Sequence, residues 1–136
     1  MSESIEAELR SFLGHTAYVN AVAVTPDGTK IVTGSADGTC KVFGIHTAEC
    51  LLTLTGHTSY VSAVAVTPDG AKVVAASGDK TVKIFDLTTG GCLLTLTGHD
   101  GPVYSVKVTP DGTKCVTGSG DSTAKVFAPP HPQVSS

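Results

Sequence analysis

The stretch GHTAYVNAVAVTPDG at residues 14–28 returns as GHTSYVSAVAVTPDG at residues 56–70 and as GHDGPVYSVKVTPDG at residues 98–112. The step is 42 residues each time, and Phe43, Phe85 and Phe127 keep it. Residues 14–55 match residues 56–97 at 27 of 42 positions, and residues 56–85 match residues 98–127 at 17 of 30. A fixed period of this length is the mark of stacked supersecondary units, each unable to bury its apolar surface alone.

Within one period the pattern predicts four short strands, at residues 18–24, 30–35, 39–43 and 50–54. Thr-Pro-Asp-Gly ends the first, because Pro presets φ, Asp bonds its own backbone and Gly accepts positive φ. Ala36-Asp37-Gly38 ends the second and Gly56-His57 follows the fourth. Connections this short make neighbouring strands antiparallel, so each unit reads as a four-stranded meander.

Composition agrees. Valine and threonine supply 17 and 19 of the 136 residues, a β-branched bias that favours strands over helices. The net charge of −3 and pI near 5.9 argue against a nucleic-acid surface. The periodic lysines Lys30, Lys72, Lys114 and Lys41, Lys83, Lys125 read as solvated positions spread once per unit. Apolar runs such as AVAV are far below the ~20 residues of a membrane helix. The acidic start MSESIEAELR has no apolar signal core, so a cytoplasmic protein without membrane contact is expected. Cys40, Cys50, Cys92 and Cys115 form no C-x-x-C pair, and Cys50 and Cys92 are simply one period apart. They read as small buried hydrophobes, with neither a disulfide framework nor a metal site expected.

These motifs resemble the WD-repeat β-propeller family over about residues 8–127. The family pattern has a Gly-His dipeptide, an Asp 22 residues on, and a Trp-Asp dipeptide six residues later. Here the pairs are His15/Asp37, His57/Asp79 and His99/Asp121, and Phe43, Phe85 and Phe127 stand where the family has Trp. The following Asp survives only as Asp86. The resemblance implies an all-β fold of propeller blades, three four-stranded antiparallel meanders at 14–55, 56–97 and 98–127. It also implies a hydrogen-bonded chain in each blade through His, Asp, a Ser or Thr and the Trp. Thr33 and Thr117 match the hydroxyl position, whereas the middle unit has Ala75. Phenylalanine has no N–H, so the chain is expected to stop short of its last member.

Three units are fewer than the four to eight blades of ordinary propellers. Residues 8–13 carry the phase of a fourth strand, and no fourth strand follows Phe127. The ring is therefore expected to be incomplete unless the chain oligomerises, with the strand at 8–13 completing the last blade in cis or trans. Residues 1–7 are expected to be flexible and 128–136 a disordered tail. A homodimer closing a six-bladed ring, a fragment of a larger WD-repeat protein, and a designed or recently amplified repeat all fit.

No phosphate-binding loop, H-E-x-x-H or G-x-S-x-G occurs, and the reactive side chains are mostly periodic copies. No enzyme, cofactor or metal is expected, and a propeller enzyme is the weaker alternative. The resemblance instead implies a scaffold that binds a protein or peptide on the face beside the first strands. Carried over, that face is Tyr18, Asn20 and Ala36; Tyr60, Ser62 and Gly78; Pro102, Tyr104 and Gly120. All three tyrosines of the chain fall in this zone. Tyrosine brings large area at low entropic cost and keeps a hydroxyl for a partner.

Overall fold

Alternation of apolar side chains between punctual turns yields three antiparallel sheets, described by a computed structural model over residues 9–129. The first holds β1 (Val19–Val24), β2 (Lys30–Ser35), β3 (Cys40–Gly44) and β4 (Cys50–Leu54) in that order. The second repeats it with β5 (Val61–Val66), β6 (Lys72–Ser77), β7 (Val82–Asp86) and β8 (Cys92–Leu96). The third holds β9 (Val103–Val108), β10 (Cys115–Ser119) and β11 (Ala124–Phe127). No described helix is long and apolar enough to cross a membrane.

Each Thr-Pro-Asp-Gly turn is locked by its own carboxylate. Asp27 Oδ1 accepts from the Thr25 hydroxyl at 2.7 Å and from Thr29 N at 3.0 Å, and Asp69 and Asp111 repeat the motif. The tight hairpins fix register, and register decides which residues face the next sheet.

The sheets stack through their inner strands, with β1 beside β5 and β5 beside β9. The middle sheet is covered on both faces. Val73 and Ala75 of β6 face the first sheet, in a core with Val32, Cys40, Val42, Leu54, Val61 and Phe85. Val74 and Ala76 face the third, in a core with Val82, Ile84, Val103, Val106 and Cys115. That double burial is why β6 reads as an unbroken apolar run, not as an alternation. Close stacking also requires Gly34, since a Cβ there would stand 2.6 Å from Val61 Cγ1.

The outer sheets have an uncovered face each. Val22 and Val24 are 66% and 56% exposed, although their equivalents Val64 and Val66 pack against the first core. Val126 is 62% exposed at the other end. The ring is therefore incomplete.

Two details depart from expectation, and one agrees with it. The third meander has three described strands, as the lack of a fourth strand after Phe127 led one to expect. Residues 9–13 are not in a strand and lie against the first sheet, with the Phe12 ring 5.4 Å from Phe43 and Arg10 Nε donating to the His46 carbonyl at 3.0 Å. The third sheet is at the far end of the stack, beyond the second. Cys40 and Cys115 are buried as expected, whereas Cys50 and Cys92 are exposed at the first positions of β4 and β8; all four are free thiols. The expectations for residues 1–8 and 130–136 lie outside the described residues.

Candidate protein-interaction face

At the ends of the sheets opposite the Thr-Pro-Asp-Gly turns, each His returns to the turn after the second strand. The Nδ1–H of His15, His57 and His99 donates to Oδ2 of Asp37, Asp79 and Asp121 at 2.9, 2.8 and 2.8 Å. The same oxygen accepts Thr16 N, Thr58 N and Asp100 N, so the loop before each first strand is tied to the next turn. With Nδ1 protonated, Nε2 is an acceptor. It takes the Thr33 hydroxyl at 2.6 Å in the first sheet and the Thr117 hydroxyl at 2.7 Å in the third. The link to threonine is thus made wherever the hydroxyl exists. Beyond it the ring of Phe85 or Phe127 meets the imidazole edge-on, and no bond passes to it.

The middle sheet is the exception. Ala75 brings no hydroxyl, and His57 Nε2 is a buried side-chain nitrogen without a hydrogen-bond partner among the described residues. Burial holds the His57 pKa below its ordinary value, against the raising effect of Asp79. For Asp79, burial works the other way, but hydrogen bonds from Thr81, His57 and Thr58 hold its carboxyl down at about 2. Each histidine lies in the loop before the first strand of a different sheet and is committed to its own aspartate.

The tyrosines gather on the same side. Tyr18 is 83% and Tyr104 55% exposed. Tyr60 is half-buried and its ring lies over Gly78, where an added Cβ would be 2.4 Å from the ring. Tyr104 lies similarly over Gly120. Burial, followed by the neighbouring Tyr104 hydroxyl, raises the Tyr60 pKa. A Cβ at position 78 would displace the Tyr60 ring, whereas one at position 120 would press on Tyr104 at 3.1 Å.

Asn20 and Ser62 have another task. Asn20 Nδ2 donates to the Val61 carbonyl at 3.1 Å, and the Ser62 hydroxyl donates to the Val103 carbonyl. Both bonds span 41 residues and staple neighbouring inner strands. Pro102 is half-buried, and its carbonyl accepts Gly120 N at 2.8 Å and the Ser119 hydroxyl at 2.8 Å. The described face is therefore aromatic, with its polar groups spent on rigidity.

Comparison with known sequences agrees with this architecture. The profile of the WD domain, G-beta repeat family matches residues 6–44, 48–86 and 90–127. A guanine nucleotide-binding protein subunit beta of Nicotiana tabacum is 50% identical over 40 residues, which are 29% of this chain and 11% of that protein. The Arabidopsis thaliana protein of the same name is 46% identical over 41 residues, 30% and 11% of the two chains. A ribosome biogenesis protein BOP1 homolog of Anopheles gambiae is 44% identical over 43 residues, 32% and 5%. The matched segments span about a tenth or less of these relatives' length. Three in-phase matches over most of its length, on three sheets with the His–Asp tie in each, make the chain a member of the WD-repeat family.

Proposed function

We propose that this chain is a non-catalytic scaffold that presents its tyrosine-bearing face, built around Tyr18, Tyr60 and Tyr104, to a protein or peptide partner. The observation that carries this reading is the collection of all three tyrosines on one rigid end of the sheets, two of them well exposed. The His–Asp ties and the Asn20 and Ser62 staples keep that end stiff, so little entropy is lost when a partner binds. The named relatives are a G-protein subunit and a ribosome biogenesis protein, consistent with work through protein contacts. Four free thiols suit the reducing cytoplasm. A photo-crosslinking residue placed at Tyr18 or Tyr104 should trap a discrete protein in cells, whereas the same residue at the exposed Thr29, in the far turn of the first sheet, should not. Equal trapping at Thr29 would overturn the face.

A second reading concerns assembly. Phe12 sits on Phe43 as Leu54 packs in the core with Phe85, and β11 pairs with β10 alone among the described residues. We infer that residues 8–13 of one copy serve as the outer strand beside β11 of another, closing a six-bladed ring of two chains. Native mass spectrometry should then find a species near twice 13.8 kDa, lost on deletion of residues 1–13. A well-folded monomer indifferent to that deletion would leave the chain as one arc of a larger or open propeller.

A further inference from the structure

The two interfaces between sheets are made of equivalent residues, yet they close differently. On the side of the Thr-Pro-Asp-Gly turns, away from the tyrosines, a cleft of about 690 Å³ opens between the second and third sheets. It is lined by Val74, Ile84, Leu94, Val108, Cys115 and Pro129. One period earlier, the place of Pro129 belongs to Leu87 and that of Cys115 to Val73, both buried in the core of the first interface. The turn at Gly90 completes that closure by lying on Leu52 and Leu54.

The third repeat cannot form the turn that closes the first interface. After β7, Leu87 N donates to the Ala71 carbonyl at 2.9 Å and Gly90 N to the Asp86 carbonyl at 2.8 Å. Asp86 Oδ1 accepts Thr88 N at 2.7 Å and Thr89 N at 2.9 Å. One period on, the sequence is Ala128-Pro129-Pro130-His131-Pro132. Alanine has no carboxylate and the three prolines have no N–H, so all four bonds are unavailable to it.

The rim carries a lysine with one carboxylate fewer than its equivalent: Lys72 acts on both Asp69 and Asp86, whereas among the described residues Lys114 acts on Asp111. Asp69 and Asp111 are held by their own turns. Lys72 stands opposite Asp86 across β6 and β7, whereas the same step places Ala128 opposite Lys114. Lys114 is exposed, and among the described residues its ammonium donates to the neighbouring Thr113 hydroxyl at 3.4 Å.

We propose that this cleft is a second docking site, separate from the tyrosine face, for a segment of a partner protein that carries a carboxylate next to a leucine-sized aliphatic side chain. The aliphatic group takes the space that Leu87 fills at the other interface, and the carboxylate accepts from the Lys114 ammonium.

The chain's own turn provides the probe. A fluorescein-labelled, N-acetylated hexapeptide Asp-Leu-Thr-Thr-Gly-Gly, the sequence of residues 86–91, is titrated into the full chain and followed by anisotropy. Saturable binding is expected, about tenfold weaker with Lys114→Ala and with the peptide's Asp replaced by Ala, the loss of one charge-assisted contact. Pro129→Leu gives the chain an aliphatic side chain of its own in the cleft and is expected to abolish binding while leaving the protein folded. Tyr104→Ala, on the opposite face, is expected to leave binding unchanged. Equal binding to the Pro129→Leu chain, or no saturable binding to the wild type, would overturn the site. So would binding that appears only after residues 130–136 are removed, because the chain's own tail would then be the occupant.

Discussion

The interface between the first and second sheets is closed, and the one between the second and third is open at its turn side, although both come from the same 42-residue pattern. Val73, Phe85 and Leu87 close the first, with exposures of 0, 1 and 7%. Cys115, Phe127 and Pro129 replace them one period later, and Phe127 is only half-buried. A smaller side chain at one position, a proline at another and the loss of the turn that lies on Leu52 and Leu54 accompany the exchange of a packed seam for a cleft. Repeat proteins store stability in such neighbour contacts, so a local change in one repeat weakens one seam and leaves the others intact.

Removing the aromatic ring from each seam gives the largest contrast. Phe85→Ala should cost about 3–5 kcal/mol, the range for deleting a fully buried aromatic side chain. Phe127→Ala should cost clearly less, and equal shifts in urea midpoint for the two would mean that the seams are energetically alike. Next comes the residue that separates them. Leu87→Ala should lose about 2–4 kcal/mol and open a cleft in the closed seam, which thermal unfolding would register as a large drop in Tm. Pro129→Leu should move stability the opposite way.

A smaller effect is expected inside the middle sheet. Ala75→Ser offers a hydroxyl to His57 Nε2 and should raise stability by about 1 kcal/mol, the net worth of one hydrogen bond. No gain in equilibrium unfolding would mean that the nitrogen is already satisfied. Adding Phe85→Trp to it should gain more than the two single changes sum to, because the indole N–H then has a hydroxyl to meet.

The smallest effect is a pH dependence. His57 has a folded pKa below its unfolded value, so below about pH 6.5 the unfolded chain binds the extra proton. Stability should therefore fall as pH drops from 7.5 toward 5.5. Asp79, held at about 2, stays ionised throughout that window and contributes nothing to the slope. Replacing His57 by Gln should flatten the curve measured by denaturant titration, and an unchanged slope would assign it to other groups.

The tyrosine face was partly legible before the fold was known. The positions of Tyr18, Tyr60 and Tyr104 beside the first strands follow from counting. What counting cannot give is the use of Asn20 and Ser62, because their acceptors, the carbonyls of Val61 and Val103, belong to the next repeat. Cys50 and Cys92 failed similarly: an apolar type at the start of a strand says nothing about whether another strand covers it, and none does here.

Period, strands, turns and the His–Asp pairs were determined by the sequence alone. They depend on local interactions within about one repeat: proline and glycine set the turns, alternation sets the faces, and a fixed spacing brings His15 to Asp37. Only the tertiary structure decided how well the repeats fit one another. The contrast between Leu87 and Pro129 becomes a cleft only once β8 and β10 stand on either side of it. That the Nε2 of His57 ends buried without a partner among the described residues is likewise a matter of packing. Packing joins residues from different repeats, and it is there that small side-chain differences become differences in volume, burial and charge.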